Sequence, residues 1–152
     1  MQIELLKAYP HYIIEIARWY QSEWGDLDPA NSIDVFVRRL REFSNEGEIP
    51  VAFVACEHEK AVGACNIRLR REKEPNYEPW FAGLYVLPAF RKQGIGSALL
   101  AHAEKFAQKL GIETLYLSTP DQQKLYEQHG WREFDNTDFR GQRESIMQKR
   151  LR

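Results

Sequence analysis

The sequence predicts a mixed α/β (α+β) fold in one domain over residues 1–152, with elements in the order βααβββαβαββ. Three observations carry this. Two segments with apolar residues at helical spacing follow a short first strand, and between residues 51 and 87 the spacing gives way to β-branched and small apolar runs. After residue 94, helical and strand-like segments alternate, each helix closed by a glycine. No repeat, linker or low-complexity tract interrupts the chain. This argues against a Rossmann repeat and against an all-β barrel.

Residues 2–6, QIELL, form a short first strand. Pro10 opens a helix carrying Ile13, Ile14, Ile16, Ala17 and Tyr20. GDLDPANS at 25–32 is turn chemistry, with Asn31 or Ser32 as N-cap of a second helix whose Ile33, Phe36, Val37 and Leu40 share a face. SNEGEIP stops that helix. VAFVACE and AVGACNIRLR read as a hairpin turning at HEK, residues 58–60. A charged loop with two prolines, 71–79, leads into WFAGLYVL at 80–87, apolar on both faces as a doubly covered strand requires.

From Gly94 to Leu110 a helix places Ile95, Leu99, Ala103, Phe106 and Leu110 on one stripe, and Gly111 ends it in the left-handed conformation. ETLYLS at 113–118 is a strand, and residues 121–130 form a short helix with Asp121 near its start and Gly130 as its stop. WREFD and ESIMQKRL close the sheet, and DNTDFRGQRE at 135–144 reads as a mixed-charge loop, a candidate lid.

Composition narrows the function. With 43% apolar and 28% charged residues, the 152-residue chain has globular composition and can bury a core. A net charge of −1 offers no global cationic surface for nucleic acid or an anionic membrane, so any anion site is local. Cys56 and Cys65 lie in strand-like runs and have no zinc-type spacing, which implies buried free thiols in a reducing compartment. The N-terminal stretch lacks a signal-peptide pattern and no apolar run is long enough to span a bilayer. The expectation is a soluble cytoplasmic protein without a metal site.

The local anion site is RKQGIG, residues 91–96. The first amides of a helix lack intrahelical partners and the helix dipole is positive there, so a strand–turn–helix junction cradles phosphate. Gly94 and Gly96 let the backbone approach an anion closely, while Arg91 and Lys92 add mobile charge. The spacing fits neither a Walker A loop nor the dinucleotide fingerprint, whose third glycine position is Leu99 here.

LYVLPAFRKQGIGSALL at 84–100 resembles motif A of the GNAT superfamily of N-acetyltransferases, through Arg91, Gly94 and Gly96. LYEQHGW at 125–131 resembles the second signature of that superfamily, and the element order matches it across nearly the whole chain. The resemblance implies a mostly antiparallel central sheet with helices on both faces. It also implies that acetyl-coenzyme A is the co-substrate, its pyrophosphate wrapped by Arg91, Lys92, Gln93, Gly94, Ile95, Gly96 and Ser97. The exposed backbone of Leu84, Tyr85 and Val86, next to a bulge, would pair with the pantetheine amides as an added strand does. Pro88, lacking an N–H, helps end that strand.

Acetyl transfer to an amine needs a neutral amine, a stabilised oxyanion and help for the leaving thiolate. Backbone amides near the bulge, that of Val86 among them, suit the oxyanion. Tyr126 matches the tyrosine of the second signature and is the candidate acid, with Tyr85 and Tyr116 as weaker rivals. The usual strand glutamate is missing, since the region reads Ala82 and Gly83. Glu78, His58 and His129 are the alternative bases, and a site with no dedicated base stays open. Where relatives often carry Asn and Ala ahead of the tyrosine, this chain has Thr119 and Gln122. Thr119 can still hydrogen-bond the coenzyme. For the acceptor amine, Trp19, Tyr20 and Trp24 lie among Glu23, Asp26 and Asp28, aromatic and acidic groups that suit a cation.

The resulting expectation is an acetyltransferase acting on a primary amine of a small molecule or a protein. A coenzyme A-binding regulatory domain without turnover is the alternative. The acceptor is not set by the sequence; nor is the oligomeric state, for which a homodimer is one option.

Overall fold

The computed structural model describes residues 1–27, 32–69, 76–139 and 141–152. Its elements are β1 (Gln2–Leu5), α1 (Ile13–Trp24), α2 (Ile33–Glu42), β2 (Val51–Glu57), β3 (Lys60–Arg68) and β4 (Trp80–Val86). There follow α3 (Ile95–Lys109), β5 (Thr114–Thr119), α4 (Gln123–Gln128), β6 (Arg132–Phe139) and β7 (Gln142–Arg150). The seven strands make one sheet in the order β1-β2-β3-β4-β5-β7-β6, antiparallel except between β4 and β5. This is the predicted element order and the predicted mixed, mostly antiparallel sheet.

Two cores sit on opposite faces of the sheet. Ile16, Tyr20, Phe36 and Leu40 of α1 and α2 pack with Ala52, Val54 and Ala64, while Leu99 and Ala103 of α3 pack with Phe53, Cys65, Leu115 and Leu117. Successive residues of β2 alternate between the cores, so a strand covered on both sides reads as an unbroken apolar run. The β2–β3 hairpin turns on His58 and Glu59, both at positive φ (50° and 62°), as a two-residue type I′ turn demands.

Some expectations change. Ile14 is exposed (52%) because it lies off the stripe made by Ile13, Ile16, Ala17 and Tyr20. Leu110, expected on the apolar stripe of α3, is the C-cap residue and is exposed (41%), since the chain leaves the helix there. The segment 135–144 is not a lid loop: β6 runs to Phe139 and β7 starts at Gln142, with Asn136 paired to Ser145 and Asp138 to Arg143. β6 is an edge strand with a solvated face, so its outward residues are charged and mask the strand pattern. Ser32 is the N-cap residue of α2, though without a side-chain hydrogen bond. The other cap candidate, Asn31, lies outside the described residues, as do Asp28 and most of the 71–79 loop.

Candidate active site

The site begins where β4 leaves β5. These parallel strands pair at one position only, Trp80 with Tyr116, supported by a bond from the Tyr116 amide to the Pro79 carbonyl (3.1 Å). Tyr77, Trp80, Tyr116 and Phe134 pack there, with Tyr77 stacked on Tyr116 at 5.3 Å and Phe134 edge-on to Tyr77 at 5.1 Å. This aromatic knot holds the vertex of a V. Above it β4 diverges, and burial records the parting: Trp80 and Phe81 are nearly inaccessible (1% and 3%), whereas Ala82 to Val86 are all half-buried. The β4 edge facing β5 therefore offers strand-edge groups to a ligand, much as the edge of any sheet does, apart from the Gly83 and Val86 carbonyls, which Tyr20 and Arg91 occupy.

A bulge helps bend β4 away. Ala64 pairs with Tyr85 but Asn66 pairs with Ala82, so one residue of β3 opposes two of β4, Gly83 and Leu84. Gly83 stands at φ +65°, and a Cβ there would lie 2.3 Å from Asn66 Nδ2 and 2.9 Å from Tyr20 Oη. Only glycine suits both the backbone and the space. The bulge is clamped from α1: Tyr20 Oη donates to the Gly83 carbonyl at 2.6 Å. Burial raises the Tyr20 hydroxyl far above the usual phenol range, so it stays a donor.

Past the strand, the loop turns on Lys92 and Gly94, both left-handed (φ 63° and 84°), and α3 starts at Ile95. Among the described residues, the backbone amides from Lys92 to Ser97 have no backbone acceptor, and Gly94 provides no side-chain cap. Six successive free amides at the positive end of a 15-residue helix form an anion nest. A Cβ on Gly96 would touch only Leu84 and Val86, at 3.9 Å. Arg91 folds back onto β4: its Nε donates to the Val86 carbonyl at 2.8 Å, and its guanidinium lies 5.4 Å from the Tyr85 ring, which stacks on Trp19. The unpaired β4 edge and the amide nest fit a ligand with a phosphate end and a peptide-like arm.

Tyr126 approaches from the α3 face. It is buried (8%) beside Cys65, and burial together with that thiol pushes its pKa up to about 12. The end of α4 explains why its sequence reads as it does. Gly130 N–H bonds the Glu127 carbonyl and Trp131 N–H bonds the Tyr126 carbonyl, a Schellman stop with Gly130 left-handed. The accompanying apolar contact joins Trp131 to Tyr126, rings edge to face at 6.1 Å. LYEQHGW is thus a helix end that fixes the Tyr126 ring. Thr119 is buried (4%), and its Oγ1 accepts from the Gln122 amide (3.0 Å), so its hydroxyl holds the turn into α4.

The alternative bases scatter. His58 is in the hairpin turn and Glu78 is exposed ahead of β4. His129 is half-buried with Nε2 3.1 Å from Ser97 Oγ, which ties the end of α4 to the first turn of α3. Tyr116 belongs to the aromatic knot and Tyr85 to the stack under Arg91. Trp19 and Tyr20 are core residues, Trp24 is half-buried, and Glu23 and Asp26 are exposed. Sequence reading missed Asn66, Gly83 and the Ser97–His129 link. A single amide at an inward position of a buried strand was the available signal for Asn66. No three-residue cluster of His, Cys, Asp or Glu among the described residues can hold a metal, and no described helix is long and apolar enough to cross a membrane.

Solved structures share this architecture. An aminoglycoside 6'-acetyltransferase type Ii superposes with a TM-score of 0.77 at 20% identity, covering 100% of this chain and 98% of that one. An aminoglycoside 6'-N-acetyltransferase complexed with coenzyme A gives 0.77 at 16% identity, with 100% and 98% covered. A ribosomal-protein-alanine N-acetyltransferase from Brucella melitensis gives 0.76 at 17%, with 99% of each covered. A search of curated proteins gives no match to the sequence. The acetyltransferase (GNAT) family matches residues 13–131, from the start of α1 to the end of the Tyr126 signature, and the chain belongs to that family.

Proposed function

We propose that the chain transfers the acetyl group of acetyl-coenzyme A to a primary amine in the V between β4 and β5. The observation that carries this is the join of a strand edge without a strand partner, at residues 82–86, to a nest of free amides at 92–97. Phosphate groups would sit on the amides of Lys92, Gln93, Gly94, Ile95, Gly96 and Ser97, with Arg91 at the mouth. The backbone of Leu84 and Val86 would hold the amide-bearing arm, whereas Tyr85, expected to share that role, turns its amide and carbonyl to Ala64 of β3. Thr119 would act through the turn that aims α4.

When bound, acetyl-coenzyme A supplies a thioester carbonyl as electrophile and a thiolate as leaving group. A backbone amide at the bulge would face the carbonyl oxygen and accept its developing charge. Tyr126, with its pKa near 12, is a weaker acid than an ordinary thiol at about 8.5. It therefore donates a hydrogen bond to the departing sulfur and keeps its proton. The amine nitrogen bonds to carbon, the C–S bond breaks, and the protons shed by nitrogen pass to solvent and sulfur.

The test is calorimetric titration with acetyl-coenzyme A, coenzyme A and ATP, followed by thiol release with a panel of primary amines. The panel includes an aminoglycoside and a peptide with N-terminal alanine, acceptors suggested by the names of two fold relatives. Binding of both coenzymes but not ATP, with thiol released, is expected. Absence of coenzyme binding overturns the reading; binding without thiol release across the panel leaves a coenzyme-binding domain.

A further inference from the structure

Among the described residues, one buried side-chain polar atom has no hydrogen-bond partner, Oδ1 of Asn66. The residue is 5% exposed and lies at the bulge. Its orientation is fixed by chemistry. Tyr20 gives its only hydroxyl proton to the Gly83 carbonyl, so it can only accept from Asn66, whose NH₂ faces it. The amide oxygen is therefore the atom left over. Buried acceptors are rarely left unpaired in folded proteins, and the exceptions concentrate at functional sites.

The surroundings place that carboxamide beside the site. Asn66 is flanked across the sheet by Ala52 on β2 and Ala82 on β4, two residues with minimal side chains. Its carboxamide crosses β4 at Gly83, so closely that a Cβ there would lie 2.3 Å from Nδ2. From Ala82 onward β4 is only half-buried, because β5 has turned away. The carboxamide thus lies beside the point where β4 parts from β5, on the face covered by Tyr20, Trp24 and Phe36. Neither Ala82 nor Gly83 brings a carboxylate there.

We propose that Asn66 Oδ1 accepts a hydrogen bond from the amino nitrogen of the acceptor and aims its lone pair at the thioester carbonyl. Tyr20 is the positioning residue that locks the amide. This rests on the amine-acetylation reading above. An amide oxygen orients an N–H without taking its proton. The nitrogen loses one proton to water before attack, forms the C–N bond as C–S breaks, and releases the second afterwards. In this scheme orientation replaces a dedicated base.

The probe is methylamine, titrated into ¹⁵N-labelled protein with tetramethylammonium as a cation that has no N–H. The Asn66 carboxamide signals are assigned by their loss in Asn66→Ala. Saturable movement with methylamine alone is expected; no movement, or equal movement with both, overturns the proposal. In turnover with the most reactive panel amine, Asn66→Ala should raise the acceptor KM about tenfold or more, with acetyl-coenzyme A KM within about twofold. Tyr20→Phe should act in the same direction more weakly. Equal loss for both substrates would mark a structural role. Calorimetric binding of acetyl-coenzyme A by Asn66→Ala separates failure of this proposal from failure of the underlying reading.

Discussion

Replacing Gly83 by alanine tests the bulge on which the site is built. Two costs add. A left-handed backbone costs a non-glycine residue about 1–2 kcal/mol, and Gly83 sits at φ +65°. The new Cβ would also stand 2.3 Å from Asn66 Nδ2 and 2.9 Å from Tyr20 Oη. Both are side-chain ends, yet neither can swing clear, because Tyr20 is 5% exposed and wedged against Trp24 and Phe36. Moving them breaks at least one buried hydrogen bond, worth about 1–3 kcal/mol when its partner is stranded. The sum is roughly 2–5 kcal/mol, and at about 2–4 °C per kcal/mol the melting temperature should fall by about 10 °C. Gly111→Ala is the control, since Gly111 has φ +85° and nothing within 4 Å of a Cβ. It should lose about 1–2 kcal/mol from backbone strain alone. Scanning calorimetry of the two variants isolates the crowding. Equal losses would refute the packed Tyr20–Asn66–Gly83 arrangement.

Other substitutions address the coenzyme and the chemistry. Gly96→Trp should weaken acetyl-coenzyme A binding at least about tenfold by calorimetry, or about 1.4 kcal/mol, whereas Gly96→Ala should bind normally because its Cβ meets Leu84 and Val86 at 3.9 Å. Tyr126→Phe should lower kcat by roughly ten- to a hundredfold, the worth of one hydrogen bond to a charge, with little change in acetyl-coenzyme A KM. The same residue makes a stability prediction. Its folded pKa of about 12 exceeds the ordinary 10, so its contribution is intact below pH 10 and is lost as pH rises through 12. Denaturant titrations should find the alkaline loss shallower in Tyr126→Phe by up to about 3 kcal/mol. Arg91→Ala frees the Val86 carbonyl and removes a charge at the phosphate loop. Coenzyme affinity should fall and depend less on salt.

Much of the candidate site lies in contiguous sequence, and the local backbone geometry of that part was readable. RKQGIG spells its amide nest locally, because left-handed turns favour glycine and the helix starts directly after Gly94. Tyr126, Gly130 and Trp131 likewise belong to one helix end. The clamp on the bulge was not readable. Tyr20, Asn66 and Gly83 are far apart in sequence and meet only through packing of α1 on the sheet. Tyr20 looked like a core aromatic, which it is, and its hydroxyl gave no separate signal. The parting of β4 from β5 was implied by the family resemblance alone, and the residues themselves did not show it. β4 is apolar on both faces, and pairing along its edges leaves no trace in side-chain pattern. β6 was underestimated because edge strands carry charge as loops do.

The single β4–β5 pairing makes this sheet two plates sharing one seam, β1 to β4 on one side and β5 to β7 on the other. A ligand that bridges the plates adds bonds the folded chain cannot make for itself, and an unfolded chain offers no such slot. Occupancy and stability are then one quantity: at a hundred times its Kd, such a ligand adds about 2.7 kcal/mol. The melting temperature of this protein becomes a gauge of the coenzyme around it, and a molecule stripped of coenzyme is the one most exposed to unfolding.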